Sequence, residues 1–287
     1  MSRIAYVNGA YRRHTEAGVH IEDRGFQFAD GVYEVCEVRH GFIVDLTRHL
    51  DRLDRSLREL RIAWPMARAA LVVVIREVLR RNGVRNGLFY LQVTRGAARR
   101  DHVFPTAGVP STVVVTAKRT DASGIARKNA DGIRAITVPE NRWDRVDIKS
   151  VGLLPNVLAR QAAKEEGAQE AIFVDADGTV KEGAATNVWI VDKEGRLRTR
   201  HADHGILRGI TRTTLSDVTA AIGLEIVEQA FSVEEMLEAR EVFITAATSI
   251  CFPVVVVNGK TIANGHPGSV SQKIREAFFD IAEKTAI

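Results

Sequence analysis

The sequence predicts an α+β protein with largely antiparallel sheets and flanking helices. Most of its strand-like runs are joined by short turns such as Asn8-Gly9 and His40-Gly41, and two-residue turns of this type connect antiparallel neighbours. Units of strand, helix and strand, which build parallel sheets, are fewer than the hairpins. We therefore expect hairpin-rich sheets and not a doubly wound parallel fold.

Residues 1–118 are predicted to form a small α+β domain. It opens with two hairpins, RIAYVNGAYRR and GVYEVCEVRHGFIVDL. Leucines then recur every three or four residues from Leu46 to Leu60, which predicts a helix capped by Asp45 or Thr47. A second helix, ARAALVVVIREVLRRNG, is expected to end at Gly83. The strands LFYLQVTRG and STVVVTAKR complete this part.

The polar stretch 119–131 is predicted to be an interdomain linker, and residues 132–287 a larger α+β domain. This second domain is expected to begin with the strands IRAITVPE and RVDI and a helix from about Pro155 to Glu166. Four further strands follow in EAIFVDADGTVKEG and NVWIVDKEGRLRTR. A helix opening at GITRTTLSD, the strands EIVEQAFS and REVFITAATS, the hairpin PVVVVNGKTIA and a last helix end the chain.

The composition of the chain narrows the classes of protein to which it can belong. Of the 287 residues, 45% are hydrophobic and 26% charged, as in an ordinary globular protein, and no run of about 18 apolar residues predicts a membrane span. The N-terminal stretch lacks the apolar core of a signal peptide, so we expect a cytoplasmic protein. Cys36 and Cys251 are too few for a zinc site and are expected to be reduced thiols. The net charge of +4 comes from dispersed residues, which disfavours nucleic-acid binding.

One lysine has unusual surroundings. The chain has nine lysines, and eight of them lie beside turns, charges or helix surfaces, where a solvated side chain is expected. Lys149 instead lies between RVDI and the apolar VGLLPNVLA. A poorly solvated lysine can lose its proton and act as an amine nucleophile. On this context alone, a surface lysine remains an open alternative.

Three other segments strengthen the functional interpretation of Lys149. VKEGAATNVW places Glu182 at a strand end beside small residues, and LRGITR places Ile210 and Thr211 at a helix start, where N–H groups suit a phosphate. ITAATSICFP offers a second turn of small and hydroxyl residues around Ala247. A lysine, a carboxylate and two anion-binding turns are what a pyridoxal phosphate enzyme requires. Each feature taken alone could equally be a surface acid, a helix cap or an ordinary turn.

Taken together and in order, these motifs resemble the class IV aminotransferases, the fold-type IV pyridoxal phosphate enzymes. The segments that carry the likeness are DRGFQFADGVYEV, HLDRL, LQVTRGAARRDHVFP, RWDRVDIKS, VKEGAATNVW, LRGITR and VFITAATSICFPV. The likeness extends from about Tyr6 to Lys260. Within the family, the D-amino-acid aminotransferases are the most similar. The resemblance implies a two-domain fold-type IV architecture with pyridoxal 5'-phosphate as cofactor.

Position by position, the resemblance makes Lys149 the Schiff-base lysine and proton shuttle, and Glu182 the partner of the cofactor's ring nitrogen. It makes Arg52 a phosphate ligand. Without the resemblance, the helix stripe formed by Arg48, Arg52 and Arg55 would be expected to be a solvated face. The backbone N–H groups of Ile210 and Thr211 would bind further phosphate oxygens. Ala247 lies in the second phosphate turn, where relatives usually have threonine.

The segment RRDHVFP points to the substrate. In D-amino-acid aminotransferases, an arginine and a histidine two residues apart, with a hairpin tyrosine, trap the substrate carboxylate. Arg100, His102 and Tyr33 fall on those positions. Guanidinium binds carboxylate through a forked pair, and imidazole and phenol add donors. In the family the arginine and the histidine come from the partner subunit, which implies a homodimer.

The sequence therefore predicts transamination of D-amino acids such as D-alanine, with a 2-oxo acid as acceptor. Alternatives within the fold are a branched-chain L-amino-acid aminotransferase, an amine transaminase and an aminodeoxychorismate lyase. A cofactor-free binding protein is the alternative outside enzymes. Ile250 and Cys251 replace residues that are usually polar in relatives, so the preferred substrate side chain stays open.

Overall fold

The computed structural model describes residues 3–106 and 108–287. Up to residue 119 the elements are β1 (Ile4–Val7), β2 (Ala10–Arg13), α1 (Arg24–Phe28), β3 (Gly31–Arg39), β4 (Phe42–Val44), α2 (Leu46–Glu59), α3 (Arg68–Asn82), β5 (Gly87–Thr94) and β6 (Thr112–Arg119). The elements that follow, up to residue 191, are α4 (Ala122–Asp131), β7 (Ile133–Pro139), α5 (Leu154–Glu165), β8 (Glu170–Val174), β9 (Val180–Gly183) and β10 (Asn187–Val191). The last are β11 (Leu197–Thr199), α6 (Ile210–Ala221), β12 (Ile226–Glu228), α7 (Val233–Leu237), β13 (Glu241–Ala246), β14 (Ser249–Val257), β15 (Lys260–Thr261), α8 (Ser269–Ile281) and β16 (Lys284–Ala286).

These elements form two compact units. Unit 1 takes the described residues of Met1–Thr120 together with the short segments Ile148–Gly152 and Glu283–Ile287. Unit 2 takes Asp121–Asp147 and Leu153–Ala282. The chain thus returns to unit 1 for five residues around Lys149 and again at its C-terminal end.

Unit 1 is built on a seven-stranded sheet in the order β16-β4-β3-β5-β6-β1-β2, with every pairing antiparallel. The predicted hairpin turns are present: Asn8 and Gly9 have φ of 45° and 94°, the left-handed values that such a turn requires. Helices α2 and α3 pack on this sheet. Leu50, Leu53 and Leu57 of α2 are buried, as their spacing predicts.

Unit 2 is built on a mixed nine-stranded sheet. Its main path is β12-β11-β10-β13-β14-β7-β8-β9, and β15 pairs with β14. Among the described strands, the pairs β11–β12, β14–β7 and β7–β8 are parallel and the other five pairs are antiparallel. Helix α5 supplies the crossover between β7 and β8. Helix α6 likewise connects the parallel neighbours β11 and β12. The mixture of hairpins with these two strand–helix–strand units agrees with the predicted α+β class.

The sequence-based expectations did not include the short helices α1 and α7 or the strand β16. They also differ from the structure at the linker, at the run RVDI and in the domain to which two segments belong. Residues 122–131 of the expected linker form helix α4, because Asp121 caps it by accepting from the Ser123 N–H at 3.1 Å. The run RVDI is a turn and not a strand: the Arg145 guanidinium bonds the Asp147 carboxylate two residues on, at 2.9 and 3.1 Å. The segments Ile148–Gly152 and Glu283–Ile287 lie in unit 1 and not with residues 132–287.

No helix within residues 3–106 and 108–287 combines the length and the apolar content that a membrane crossing needs.

Candidate active site

Lys149 is fixed by backbone pairing in unit 1. Its carbonyl accepts from the Tyr33 N–H at 3.0 Å, and the Val151 N–H donates to the Gly31 carbonyl at 3.0 Å. The preceding residue, Ile148, is 4% exposed and packs in the core of unit 1. These contacts hold the lysine segment along the first residues of β3. The backbone beneath the amine is therefore rigidly placed.

The Lys149 amine lies against the Tyr33 side chain. Its Nζ donates to the Tyr33 Oη at 3.2 Å and lies 4.3 Å from the centroid of the ring. Tyr33 in turn stacks on Tyr90, with ring centroids 5.7 Å apart. Burial, and then Tyr33, raise the pKa of Tyr90 to about 12, so its hydroxyl stays protonated and donates to Gln92 Oε1 at 2.6 Å. The structure thus brings Lys149 and Tyr33 together, and sequence analysis singled out both.

Arg52 does not lie on a solvated face. Its Nε and Nη2 donate to the two carboxylate oxygens of Glu34 at 2.8 and 2.7 Å, and its side chain is 9% exposed. The His49 Nδ1 lies 2.7 Å from the same carboxylate. Burial raises the pKa of Glu34, but Arg52 and His49 outweigh burial and bring it to about 2. Glu34 is therefore an ion that orients the guanidinium by a forked pair.

Sequence analysis missed Glu34 and His49. A signal was present, because side chains alternate along a strand and Glu34 shares the core-facing side of β3 with Val32 and Cys36. A carboxylate at a core-facing position needs a cationic partner. The helical repeat places His49 and Arg52 three residues apart on α2.

Glu182 is a buried carboxylate at the end of β9 in unit 2. Its Oε1 accepts from Arg142 Nη1 at 2.6 Å, and its Oε2 accepts from Asn187 Nδ2 at 3.1 Å. The Leu207 N–H donates to both oxygens at 3.2 and 3.1 Å. Such a set of donors favours the ionised form of a carboxylate. A buried anion of this kind can hold a protonated ring nitrogen.

Arg142 is the second group that sequence analysis missed. It forks onto Glu140 through Nε and Nη2 at 2.9 and 2.6 Å, and its guanidinium carbon lies 4.3 Å from the Phe173 ring centroid. Burial lowers the pKa of Arg142, but Glu140 and Glu182 outweigh burial and raise it above its usual range. The segment RWDRVDIKS drew attention only to its lysine, because an arginine before a tryptophan has the ordinary appearance of a surface residue.

The two segments that were expected to bind phosphate lie in unit 2, at the start of a helix and in a turn between strands. Ile210 and Thr211 are the first residues of α6, and the first N–H groups of a helix have no intrahelical partner. Gly209 precedes them as the N-cap, and a Cβ at this position would collide with the Asn187 Oδ1. Ala247 lies in the two-residue turn between β13 and β14. It provides backbone but no hydroxyl.

Arg100 and His102 lie exposed on the loop between β5 and β6. The guanidinium carbon of Arg100 lies 5.0 Å from the ring centroid of Phe28, and the His102 ring lies 5.4 Å from the same ring. Within the described residues, neither side chain has a hydrogen bond or an ion pair. Both therefore keep their donors available to an anion. Ile250 and Cys251, the departures in the sequence, are buried on β14.

The groups of each unit suit pyridoxal phosphate by the chemistry of their donors. Unit 1 offers an amine at Lys149, and unit 2 offers a carboxylate at Glu182 and N–H donors at the start of α6. Gly209 keeps the start of α6 clear of any side chain at its cap. The fold and these groups together define the class to which the chain belongs.

The chain is a class IV aminotransferase: the model of the family described as "Amino-transferase class IV" matches residues 31–257. It is 39% identical to the D-alanine aminotransferase of Bacillus licheniformis over 271 residues, which cover 94% of each chain. It is 37% identical to the D-alanine aminotransferase of Staphylococcus haemolyticus over 273 residues, 95% of each chain. The predicted enzyme class is confirmed.

Solved structures confirm the fold-type IV architecture. The Escherichia coli branched-chain amino acid aminotransferase has a TM-score of 0.89 at 26% identity, covering 98% of this chain and 95% of that one. The branched-chain amino acid aminotransferase of T.th., solved with pyridoxamine 5'-phosphate, has a TM-score of 0.87 at 27% identity, with coverage of 98% and 94%.

Proposed function

We propose that this chain is a pyridoxal 5'-phosphate-dependent aminotransferase of D-amino acids, D-alanine among them, with a 2-oxo acid as amino acceptor. The observation that carries the proposal is the exposed pair Arg100 and His102, which are two residues apart and have no hydrogen bond or ion pair among the described residues. Such a pair suits a substrate carboxylate. The full-length similarity to D-alanine aminotransferases supports the same substrate class.

Each residue has a role in this proposal. Lys149 holds the cofactor covalently through Nζ and carries the α-proton of the substrate. Bound pyridoxal phosphate supplies an electron sink for the pair of electrons that this proton leaves behind. Glu182 pairs with the ring nitrogen as an anion. Arg52, whose guanidinium is oriented by its forked pair with Glu34, binds phosphate as a cation.

The remaining contacts are to phosphate and to the substrate. The N–H groups of Ile210 and Thr211 bind phosphate oxygens at the positive end of the α6 dipole. The turn at Ala247 gives backbone N–H groups to the same phosphate. Tyr33 donates its hydroxyl to the substrate carboxylate while it contacts Lys149. We further propose a homodimer in which each protomer lends Arg100 and His102 to its partner's site.

A branched-chain L-amino-acid aminotransferase is the second candidate, because the solved structures above carry that name. A steady-state assay separates the two: D- and L-alanine, glutamate and leucine are each tested with pyruvate or 2-oxoglutarate as acceptor. The proposal predicts turnover of D-alanine and of D-glutamate, with the L-enantiomers at background. Preference for L-leucine would replace it by the second candidate. Protein that neither binds pyridoxal phosphate nor turns over any pair would contradict both.

A further inference from the structure

The short helix α1 is fastened to the start of the loop that carries Arg100 and His102. The N-cap residue of α1, Asp23, accepts from the Thr94 hydroxyl at 2.8 Å. The Arg24 N–H donates to the Gly96 carbonyl at 2.9 Å, and the Ala98 N–H donates to the Glu22 carbonyl at 3.2 Å. The chain before α1 and the first residues of the loop therefore run side by side.

The Arg24 side chain then holds the middle of this loop. Its Nη1 donates to the carbonyls of Asp101 at 2.6 Å and Val103 at 3.4 Å, and its Nη2 lies 3.5 Å from the His102 carbonyl. Arg24 is 3% exposed, so these bonds are shielded from water. Three successive carbonyls face one guanidinium. The loop thus bends around Arg24 at the residues that flank and include His102.

Asp30 neutralises the buried charge of Arg24. Its carboxylate accepts from Arg24 Nε at 2.8 Å and from Arg95 Nε and Nη2 at 2.7 and 2.9 Å. Burial raises the pKa of Asp30, but Arg95 and Arg24 outweigh burial and leave it below its usual range. Arg95 also covers the Phe104 ring, with its guanidinium carbon 3.7 Å from the centroid. Phe104, near the end of this part of the loop, is thereby linked to the Asp30 carboxylate through Arg95.

Phe28, the last residue of α1, orders the side chains that Arg24 leaves exposed. The centroid of its ring lies 5.0 Å from the guanidinium carbon of Arg100 and 5.4 Å from the centroid of the His102 ring. The guanidinium carbon of Arg24 lies 4.9 Å from the same ring centroid. Contacts of a cation with an aromatic ring contribute on the order of 0.5–1 kcal/mol at exposed sites. One five-residue helix therefore fixes both the backbone of the loop and its two exposed side chains.

We propose that Arg24 and Phe28 are positioning residues, which hold the loop 97–104 so that Arg100 and His102 meet the substrate carboxylate. The inference rests on the proposed function, since it assigns the two loop residues to carboxylate binding. We call the contacts of Arg24 and Phe28 with this loop the clamp. Without the clamp, an irregular loop of this length would sample many conformations, and substrate binding would have to order it. The clamp removes that cost before the substrate arrives.

Arg24→Lys tests the clamp, with Arg58→Lys as a matched control. A lysine keeps the charge but cannot reach three carbonyls and Asp30 at once. Arg58 is an exposed arginine of α2 that pairs with Asp54. We expect Arg24→Lys to raise KM for D-alanine roughly five- to twentyfold, as when one or two hydrogen bonds are lost, with kcat and cofactor affinity within about twofold. Arg58→Lys is expected to match the wild type.

Hydrogen exchange of the intact holoenzyme gives a readout independent of turnover. Arg24→Lys should speed exchange in residues 97–104 and leave exchange in the strands β3 and β5 unchanged. Phe28→Leu keeps the bonds of Arg24 to the loop backbone, so it should raise KM for D-alanine without speeding exchange of that backbone. It also provides the test of the inference if Arg24→Lys does not fold. An unchanged KM in either folded variant, or exchange that rises equally throughout the protein, would overturn the inference.

The same data separate this inference from the proposed function. If the wild type does not accept D-amino acids, the proposed function fails, whereas faster exchange confined to the loop in Arg24→Lys still supports the clamp. If D-alanine is accepted and Arg100→Ala raises its KM but Arg24→Lys and Phe28→Leu do not, the proposed function stands and the clamp is refuted.

Discussion

The Nζ of Lys149 lies 3.2 Å from the Oη of Tyr33 and 4.3 Å from the centroid of the same ring. The pair arises from backbone pairing, because the Tyr33 N–H donates to the Lys149 carbonyl at 3.0 Å. Tyr33 therefore contacts the Lys149 amine through its hydroxyl and pairs with the Lys149 backbone through its N–H. In the proposed mechanism, the hydroxyl orients the amine and then shares in binding the substrate carboxylate.

Tyr33→Phe removes this hydroxyl and keeps the ring. A neutral hydrogen bond contributes about 0.5–1.5 kcal/mol and one to a charged group about 1.5–3, so we expect kcat/KM for D-alanine to fall roughly five- to a hundredfold. Tyr90→Phe is the matched control, since Tyr90 stacks on Tyr33 and gives its hydroxyl to Gln92. Steady-state kinetics measure both. Equal losses in the two variants would show that the effect is not specific to the Tyr33 hydroxyl.

Glu182→Gln should weaken catalysis more than cofactor binding. A neutral amide cannot stabilise a protonated ring nitrogen, whereas the contacts to phosphate remain in place. We expect kcat to fall at least tenfold at saturating cofactor, since a hydrogen bond to a charged group contributes about 1.5–3 kcal/mol. Cofactor titration should show a much smaller change in affinity. Wild-type turnover at saturating cofactor would contradict the role assigned to Glu182.

Arg100→Ala tests the carboxylate trap. A charge-assisted bond to a carboxylate contributes roughly 1.5–3 kcal/mol, so KM for D-alanine should rise about ten- to a hundredfold. Arg100→Lys should restore only part of the loss, because it keeps the charge without the forked geometry. The KM for a substrate amine that lacks a carboxylate should be almost unaffected by Arg100→Ala. An unchanged KM for D-alanine in Arg100→Ala would refute the role of Arg100 in binding the substrate carboxylate.

Mixing Arg100→Ala with Lys149→Ala protomers tests whether the site is shared. In a mixed dimer with shared sites, one site carries both lesions and the other carries neither. Random exchange of equal amounts makes about half of the dimers mixed, so about a quarter of wild-type activity should return. Mixing each variant with itself is the control. No recovery, with subunit exchange verified by mass spectrometry, would contradict a shared site.

Glu37, which has no role in the proposed mechanism, is expected to make the stability of the folded protein depend on pH. Burial, only partly offset by Arg39, raises the pKa of Glu37 from 4.5 to about 7, and its Oε2 is buried without a hydrogen-bond partner among the described residues. The folded protein therefore binds a proton that the unfolded chain releases. Its stabilising contribution is complete below about pH 4.5 and is lost as pH rises to about 7.

Glu37→Gln should remove this dependence. A pKa difference of one corresponds to about 1.4 kcal/mol, so the free energy of unfolding of the wild type should fall by on the order of 3 kcal/mol, relative to Glu37→Gln, between pH 4.5 and pH 8. Urea denaturation across this range measures it. Parallel curves for the two proteins would show that Glu37 ionises alike in the folded and unfolded chains.

Local patterns were enough to predict most elements of the fold. The leucine spacing of α2, the helix stop at Gly83 and the Asn8-Gly9 turn depend on residues close in sequence, and the structure has all three. Helix α4 was missed because its residues are polar and none is buried, so no apolar period marks it. The return of residues 148–152 and 283–287 to unit 1 depends on distant pairings, which one sequence does not display.

The site was predictable to the extent that its residues matched a family pattern. The structure brings Lys149 and Tyr33 together, whereas the roles of these and the other site residues stay predictions. Glu34, Arg142 and Arg24 were not foreseen. Each is a charged residue buried against a partner 6 to 40 residues away. Sequence patterns show the charge of such a residue but not its burial.

Borohydride reduction of the holoenzyme, followed by peptide mapping, tests the central claim most directly. Reduction fixes the cofactor on the lysine that holds it. The structure predicts a single modified residue, Lys149, with Lys149→Ala unlabelled and inactive. Lys181 is the most informative rival, since its side chain is only 13% exposed and its Nζ pairs with Asp175 at 3.3 Å. Label on Lys181, or on any lysine other than Lys149, would contradict the assignment of the active site.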